Sequence, residues 1–341
     1  MKTATHRLLA ALRVRQLELI TTLADTGSMR AAAQRLHLSA AAVSKGLRET
    51  ESLFDVVIFH RLPRGVALTA IGEVIAQRAR LLLNEVAQLS DDLASRRAGA
   101  GDEVRLGAPP FLTWTLLPRI LQQMEAAAGG ALPRLRIVAG RMGDICRQLE
   151  AGDIDVLITM NMPSELGGLR SGGFIIEPVM EEEWTVVCPP SHPVAPKNRR
   201  AARTSWASLV KERWILPPRP TAARMMVEQV LLRRSLPPIV PWIESMDAVT
   251  NLHLAESCNS LTLSARCTIG HHLARGTLVE VPMEDLPPPV PIALVYRTES
   301  ARRPEISALR SAAQRASSEA ESAPAGSKPA DRKFSARKSR A

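Results

Sequence analysis

Between Val14 and Asp25 the apolar positions Leu17, Ile20, Leu23 and Ala24 fall on one face at the helical period, which predicts a helix. "TGS" closes it. Gly27 suits a helix end, and the Ser28 hydroxyl suits the N-cap of the next helix. That second helix runs from about Met29 to Leu36, "HLS" turns the chain, and Ser39 is the next cap. A third helix to about Leu53 is expected to bury Ala42, Val43 and Leu47. Two apolar-faced helices joined by a turn of about three or four residues have the size of a helix-turn-helix. In "FDVVIFHRLPRGVALTAIGE" the strand-like Val56, Ile58, Val66 and Leu68 flank a turn containing Pro and Gly, which predicts a two-stranded wing with a basic tip. A long helix begins at Thr69. Its Ile71, Ile75, Leu82, Val86, Leu89 and Leu93 form a heptad-like seam that fits a partner helix, parallel or antiparallel. "ASRRAGAGDE" breaks the seam and reads as a hinge.

From Val104 the pattern alternates. "VRLGA", "LRIVAG" and "IDVLITM" are strand-like, and "LLPRILQQMEAAAG" and "MGDICRQLEAGD" helix-like. That is the βαβ signature of a doubly wound α/β domain. A second set follows: strands in "EEEWTVVCPP", "WILPP" and "NSLTLSAR", and helices in "TAARMMVEQVLLRRS" and "DAVTNLHLAES". "TLVEVPM" and "PIALVYR" are late strands, and Arg303 to Ala316 a final helix. Residues 317–341 are rich in Ser, Ala, Lys and Arg with almost no large apolar residue, which predicts a disordered basic tail.

At 341 residues the chain has room for two or three domains. It offers no membrane-length apolar run. Arg13 and Arg15 interrupt the N-terminal apolar stretch and no cleavage site follows, so a cytoplasmic protein is expected. Net charge is +10 and unevenly placed: residues 1–97 carry +5, residues 98–300 carry −1 and residues 301–341 carry +6. A positive head on a near-neutral body suits a polyanion at the head. Cys146, Cys188, Cys258 and Cys267 form no C-x-x-C pair, and no His cluster sits at zinc spacing. Reduced core thiols, or a redox-sensing thiol, are the two readings. No metal site and no cofactor are expected.

"LITTLADTGSMRAAAQRLHLSAAAVSKGLRETESLFDVVIFHRLPRGVALTAIGE" resembles the head of LysR-type transcriptional regulators of bacteria. The resemblance rests on Gly27-Ser28, Ala32-Ala33, Leu36-His37-Leu38-Ser39, Ala42-Val43-Ser44, Ile58-Phe59-His60-Arg61, the run from Arg64 to Thr69, and Gly72. "QLEAGDIDVLIT" and "PSHPVA" extend it over about residues 12–316. It implies an α/β protein in three parts. Residues 12–70 would be a winged helix-turn-helix, 71–97 a dimerising linker helix, and 103–316 a two-lobed effector domain like a periplasmic binding protein. Lobe I is expected at about 103–164 and 265–300, and lobe II at about 165–264. The implied partners are double-stranded DNA, a small-molecule effector, further copies of the chain as a homodimer or homotetramer, and RNA polymerase if the chain activates. Three positions depart from the family pattern. Ala40 stands where a polar residue, often Gln, is usual. Gly46 costs the recognition helix roughly 1 kcal/mol relative to Ala. Asp55 stands where Gly is common.

In a helix-turn-helix the second helix enters the major groove, N-terminus first. Ser39 could then hold a phosphate or simply cap, and Ala40 and Ala41 could touch a thymine methyl. Ser44 and Lys45 match positions where the family contacts DNA. Ser28 and Arg30 at the start of the second helix, Arg48 on the third, and Arg61 and Arg64 beside the wing tip complete the DNA set. Most of these contacts would position rather than specify. The effector is expected between the lobes, at Pro110, Phe111, Leu112, Thr113, Arg141, Met142, Asn161, Met162, Pro218, Thr221 and Ser264. Arg141 at a helix start would favour an anion. A solute-binding protein without DNA function is the alternative. No G-x-S-x-G, P-loop, H-E-x-x-H or strand-borne G-x-G-x-x-G supports an enzyme. His271-His272 reads as a solvated helix edge.

Overall fold

The computed structural model describes residue 8 and residues 10–97, 103–128, 132–169, 172–198 and 202–322. Helices α1 (Val14–Thr26), α2 (Met29–Arg35) and α3 (Ala40–Phe54) form the head. Both serines cap: Ser28 Oγ accepts from the Ala31 N–H at 3.4 Å, and Ser39 Oγ from the Ala42 N–H at 3.1 Å. "HLS" turns because His37 takes a left-handed φ of 54° while the Leu38 N–H donates to the Ala33 carbonyl at 2.8 Å. The buried stripe of α3 is Val43, Leu47 and Thr50, at steps of four and three. Ala42 stands one residue off that stripe and is exposed, against expectation. A Cβ on Gly46 would lie 3.0 Å from Leu19 Cδ2, so this glycine lets α1 and α3 approach closely.

The wing is a hairpin of β1 (Phe59–Leu62) and β2 (Gly65–Leu68), antiparallel with Phe59 opposite Leu68. Val56 and Ile58 precede the strand, and Ile58 is buried in the head core with Leu23, Val43 and Val66. The Val66 N–H donates to the Gly27 carbonyl at 2.8 Å and stitches the wing to the end of α1. Helix α4 (Ala70–Arg97) follows, with Thr69 Oγ1 accepting from the Gly72 N–H at 2.9 Å. Ile75 of its seam packs on the head core. Ile71, Leu82, Val86, Leu89 and Leu93 are 49–60% exposed.

The body begins with β3 (Glu103–Ala108), α5 (Pro110–Thr115), α6 (Leu117–Ala128), β4 (Arg134–Ala139), α7 (Met142–Ala151), β5 (Val156–Met160), α8 (Pro163–Leu166) and β6 (Phe174–Glu182). It continues with β7 (Trp184–Cys188), α9 (Trp206–Leu209), β8 (Ile215–Leu216), α10 (Ala222–Arg233), β9 (Ile243–Glu244), α11 (Ala248–Cys258), β10 (Thr262–Ala265), α12 (Arg266–Arg275) and β11 (Val279–Glu280). The chain returns through β12 (Val290–Arg297) and ends in α13 (Pro304–Ser322).

Lobe I is a five-stranded sheet ordered β4-β3-β5-β12-β6. Strands β3, β4 and β5 run parallel, and β12 is antiparallel to both β5 and β6. Apolar residues of α5, α6 and α13 share one core with this sheet, and those of α7 a second. Lobe II holds the antiparallel sheet β10-β7-β11 and a two-stranded parallel sheet of β8 and β9, with a core around the stacked Trp206 and Trp214. Strand pairing moves the expected lobe boundaries. Strand β6, placed by the sequence in lobe II, pairs along its length with β12 in lobe I. Helix α12 and strand β11, placed in lobe I, stay with lobe II because β11 pairs with β7. The predicted tail also starts too early: α13 runs through Ser322, and Ser317 is buried. The rest of that prediction, residues 323–341, lies outside the described residues.

The linker helix is clasped to lobe I. Asn84 Nδ2 donates to the Ala151 carbonyl at 2.5 Å and to Asp153 Oδ1 at 2.9 Å, and Gln88 Nε2 donates to the Gly152 carbonyl at 3.0 Å. These amides meet the C-terminal carbonyls of α7, groups that a helix leaves without internal partners.

Candidate nucleic-acid interface and ligand cleft

The head turns most of the expected DNA residues to solvent. Arg30, Ser39, Ala40, Ala41, Lys45, Arg48, Arg61 and Arg64 are exposed, and Ser28 and Ser44 are half-buried. Ala40, Ser44 and Arg61 line a common depression of about 200 Å3 between α3 and the wing, with Met29, Leu62 and Gly65. Helix α3 and the wing therefore present one continuous face. Lys45 lies 3.8 Å from Glu49, an exposed pair one turn apart. Arg30, Arg48, Arg61 and Arg64 make no ion pair with any described residue. The hydroxyls of Ser28 and Ser39 accept the capping bonds and keep their protons for another partner.

The lobes meet around α5. Phe111 packs against the cores of both lobes, and Met162 against that of lobe II. Cys267, in the first turn of α12, reaches Thr115 Oγ1 with its Sγ at 3.5 Å, and its N–H donates to Glu182 Oε1 at 2.9 Å. Burial pushes the Glu182 carboxyl up, and the backbone N–H bonds from Cys267 and Arg266 only partly offset it. Burial also raises the Cys188 thiol to about 12. The Cys267 thiol is pushed up by burial and by the charge of Glu182. Both thiols are held protonated, which opposes a redox-sensing role for either.

The expected effector residues divide. Thr113 Oγ1 donates to the Pro110 carbonyl at 2.6 Å, and Thr221 Oγ1 to the Pro218 carbonyl at 2.8 Å, so each hydroxyl still has acceptor capacity. Thr159 Oγ1 donates to Met142 Sδ at 2.9 Å. The Asn161 N–H donates to the Pro291 carbonyl at 2.7 Å, at the crossover to β12. Arg141 occupies the N-cap of α7 and is exposed. Leu112 does not belong with these. It is fully buried in the lobe I core, because one step along α5 rotates it away from Phe111. Ser264 is buried too, its hydroxyl bonded to Thr268 Oγ1 at 2.8 Å. Sequence reading missed Thr115, Glu182 and Cys267, and the Asn84–Gln88 clasp. Long-range pairing creates these contacts, and Thr115 and Cys267 are 152 positions apart.

A three-helix head with a wing, a linker helix and a two-lobed α/β body define a DNA-binding regulator with a ligand-binding domain. Residues 14–73 match the family model described as bacterial regulatory helix-turn-helix protein, lysR family, and residues 97–318 match the LysR substrate binding domain. Over 306 residues the chain is 24% identical to the HTH-type transcriptional regulator PcaQ of Agrobacterium fabrum, covering 89% of this chain and 95% of that one. In fold it is similar to ArgP from Mycobacterium tuberculosis, with a TM-score of 0.62 and 17% identity over 89% of this chain and 96% of that one. It is also similar to full-length CbnR complexed with the target DNA, at a TM-score of 0.57 and 20% identity over 89% of this chain and 100% of that one. The chain belongs to the LysR family of DNA-binding transcriptional regulators with effector-binding domains. The reading as a solute-binding protein without DNA function is not favoured. Among the described residues no helix is long and apolar enough to cross a membrane.

Proposed function

We propose that the chain works in the cytoplasm as a homodimer or homotetramer joined through the α4 seam. It binds double-stranded operator DNA with α3 and the wing, and an anionic small molecule sets its activity from the junction of the lobes. No catalytic step is assigned to it, and RNA polymerase is a partner if it activates. The observation that carries the DNA face is the shared depression of Ala40, Ser44 and Arg61, flanked by exposed cations. The seam is supported by five large apolar side chains left half-exposed along one helix. Arg141, an exposed cation at the positive end of α7, supports an anion as effector.

Footprinting on the intergenic DNA beside the gene tests the reading. Protection is expected at two half-sites about one helical turn or a multiple apart. Salt-sensitive binding of every fragment alike, with no protected site, would count against sequence-specific regulation. The individual cations have their own test. Lys45→Ala and Arg64→Ala should each weaken binding across all sequences and flatten the slope of log K against log salt by about 0.9, one phosphate's share. An unchanged slope removes that residue from the phosphate contacts.

A further inference from the structure

Helices α11 and α12 of lobe II carry two imidazoles and a carboxylate that the regulator reading does not use. His253 and Glu256 lie three residues apart on α11, and His272 lies on α12. One ligand atom from each lies within 4.8 Å of the other two. His272 is buried, not on the solvated helix edge expected from the sequence. Its Nδ1 stands 3.2 Å from Glu256 Oε2 and 3.1 Å from Thr277 Oγ1. The His253 and His272 rings meet edge to face, with centroids 5.2 Å apart.

We propose that His253, Glu256 and His272 form a divalent transition-metal site that fastens α11 to α12. In a tetrahedral site with bonds of about 2.0–2.1 Å the ligand atoms stand roughly 3.3 Å apart. The His272–Glu256 pair already has that spacing. Only His253 has to close in, by at most about 1.5 Å, and its exposed side chain is free to swing. Two nitrogens and one oxygen suit Zn2+, Co2+ or Ni2+, whereas Ca2+ and Mg2+ prefer all-oxygen cages. The grading from exposed His253 through half-buried Glu256 to buried His272 gives an ion a path in from solvent. Three protein ligands leave a position for water or another donor. Sequence spacing conceals the set, because the third ligand arrives from the neighbouring helix. Both helices also pack against α5 across the lobe junction, so an ion here would stiffen the lobe II side of that junction. The site stands on its own residues and does not depend on the effector reading.

Equilibrium dialysis of the full, tag-free, chelator-stripped chain against Zn2+ tests it, with the thermal midpoint followed in parallel. About one Zn2+ per chain should be retained and the midpoint should rise on loading. His253→Ala removes an exposed ring and its edge contact with His272, so its metal-free midpoint should fall only slightly, while its Zn2+ affinity falls at least about tenfold and the rise on loading disappears. Glu256→Gln should likewise lose the ion. No uptake by wild type at about 100 μM free Zn2+, or uptake and stabilisation unchanged in His253→Ala, overturns the proposal.

Discussion

Asp155→Asn should destabilise the effector domain by about 3–5 kcal/mol, because it removes the common anion of a buried cluster. Asp155 is 1% exposed. It accepts from the Arg105 N–H at 2.8 Å, from Arg105 Nε at 3.1 Å and Nη2 at 3.0 Å, and from Arg303 Nη1 at 3.0 Å. Arg297, itself buried, lies 3.9 Å away. Breaking such a set costs more than the pair was worth, since the remaining charges stay out of water without a counter-ion. For a domain of this size the loss corresponds to a fall of roughly 6–20 °C in its melting midpoint. The effect should depend on pH. Burial pushes the Asp155 carboxyl up, but the hydrogen bonds and charge of Arg105, with the charge of Arg303, outweigh burial and hold its pKa below the ordinary value. A depressed carboxyl gives its full stabilisation above the unfolded pKa of about 3.9 and loses it as pH falls through the folded value. Wild type and Asp155→Asn should therefore differ fully at neutral pH and converge in strong acid. Equal melting midpoints at pH 7 would show that the arginines find water or other partners.

Gly65→Ala should cost the head about 2–4 kcal/mol and strip the wing of its DNA contacts. Gly65 has a φ of +99°, which side-chain-bearing residues rarely adopt, and an added Cβ would stand 2.2 Å from the Gly27 carbonyl oxygen. The obstacle is backbone, so no side-chain rotation relieves it. The wing must shift, and the adjacent bond from Val66 to Gly27 goes with it. Arg61 then leaves the depression it shares with α3, and the neighbouring Arg64 moves with it. Operator affinity should fall by on the order of tenfold or more, with a shallower salt slope. The effector domain should melt as before, because its core is separate. Retained affinity would mean that the arginines of the wing tip do not reach the duplex.

The head was nearly legible in the sequence because its rules are local. Ser28 and Ser39 are caps read from residue type, and "HLS" is short enough to have one outcome. Asp55, a departure from the family's usual Gly, sits at a left-handed φ of 57° at the end of α3, which Asp tolerates better than most residues. The body was legible where strands are buried on both faces, as in β5. Strand β6 was not. It is an edge strand, half-exposed along most of its length, with a register shift beside Pro178 that destroys any alternation. The strand expected in "TLVEVPM" is present as β11, but only its pairing with β7 assigns it to lobe II. Phe111 and Leu112 looked equivalent as apolar residues after a strand, and only the turn of α5 sends one to the junction and the other to the core.

The amide clasp at Gly152 gives α7 a mechanical role. Its ten residues make a rod about 15 Å long, with Arg141 and Met142 at one end and the linker's Asn84 and Gln88 at the other. A stiff rod that is pushed at its first turn transmits the push to its last. What it meets there is a latch of three amide hydrogen bonds, reinforced by the ion pair of the linker's Glu85 with the buried Arg297 at 3.7 Å. Helix α4 runs from that latch back to Ala70 beside the wing, so the end of α7 and the head are tied to one helix.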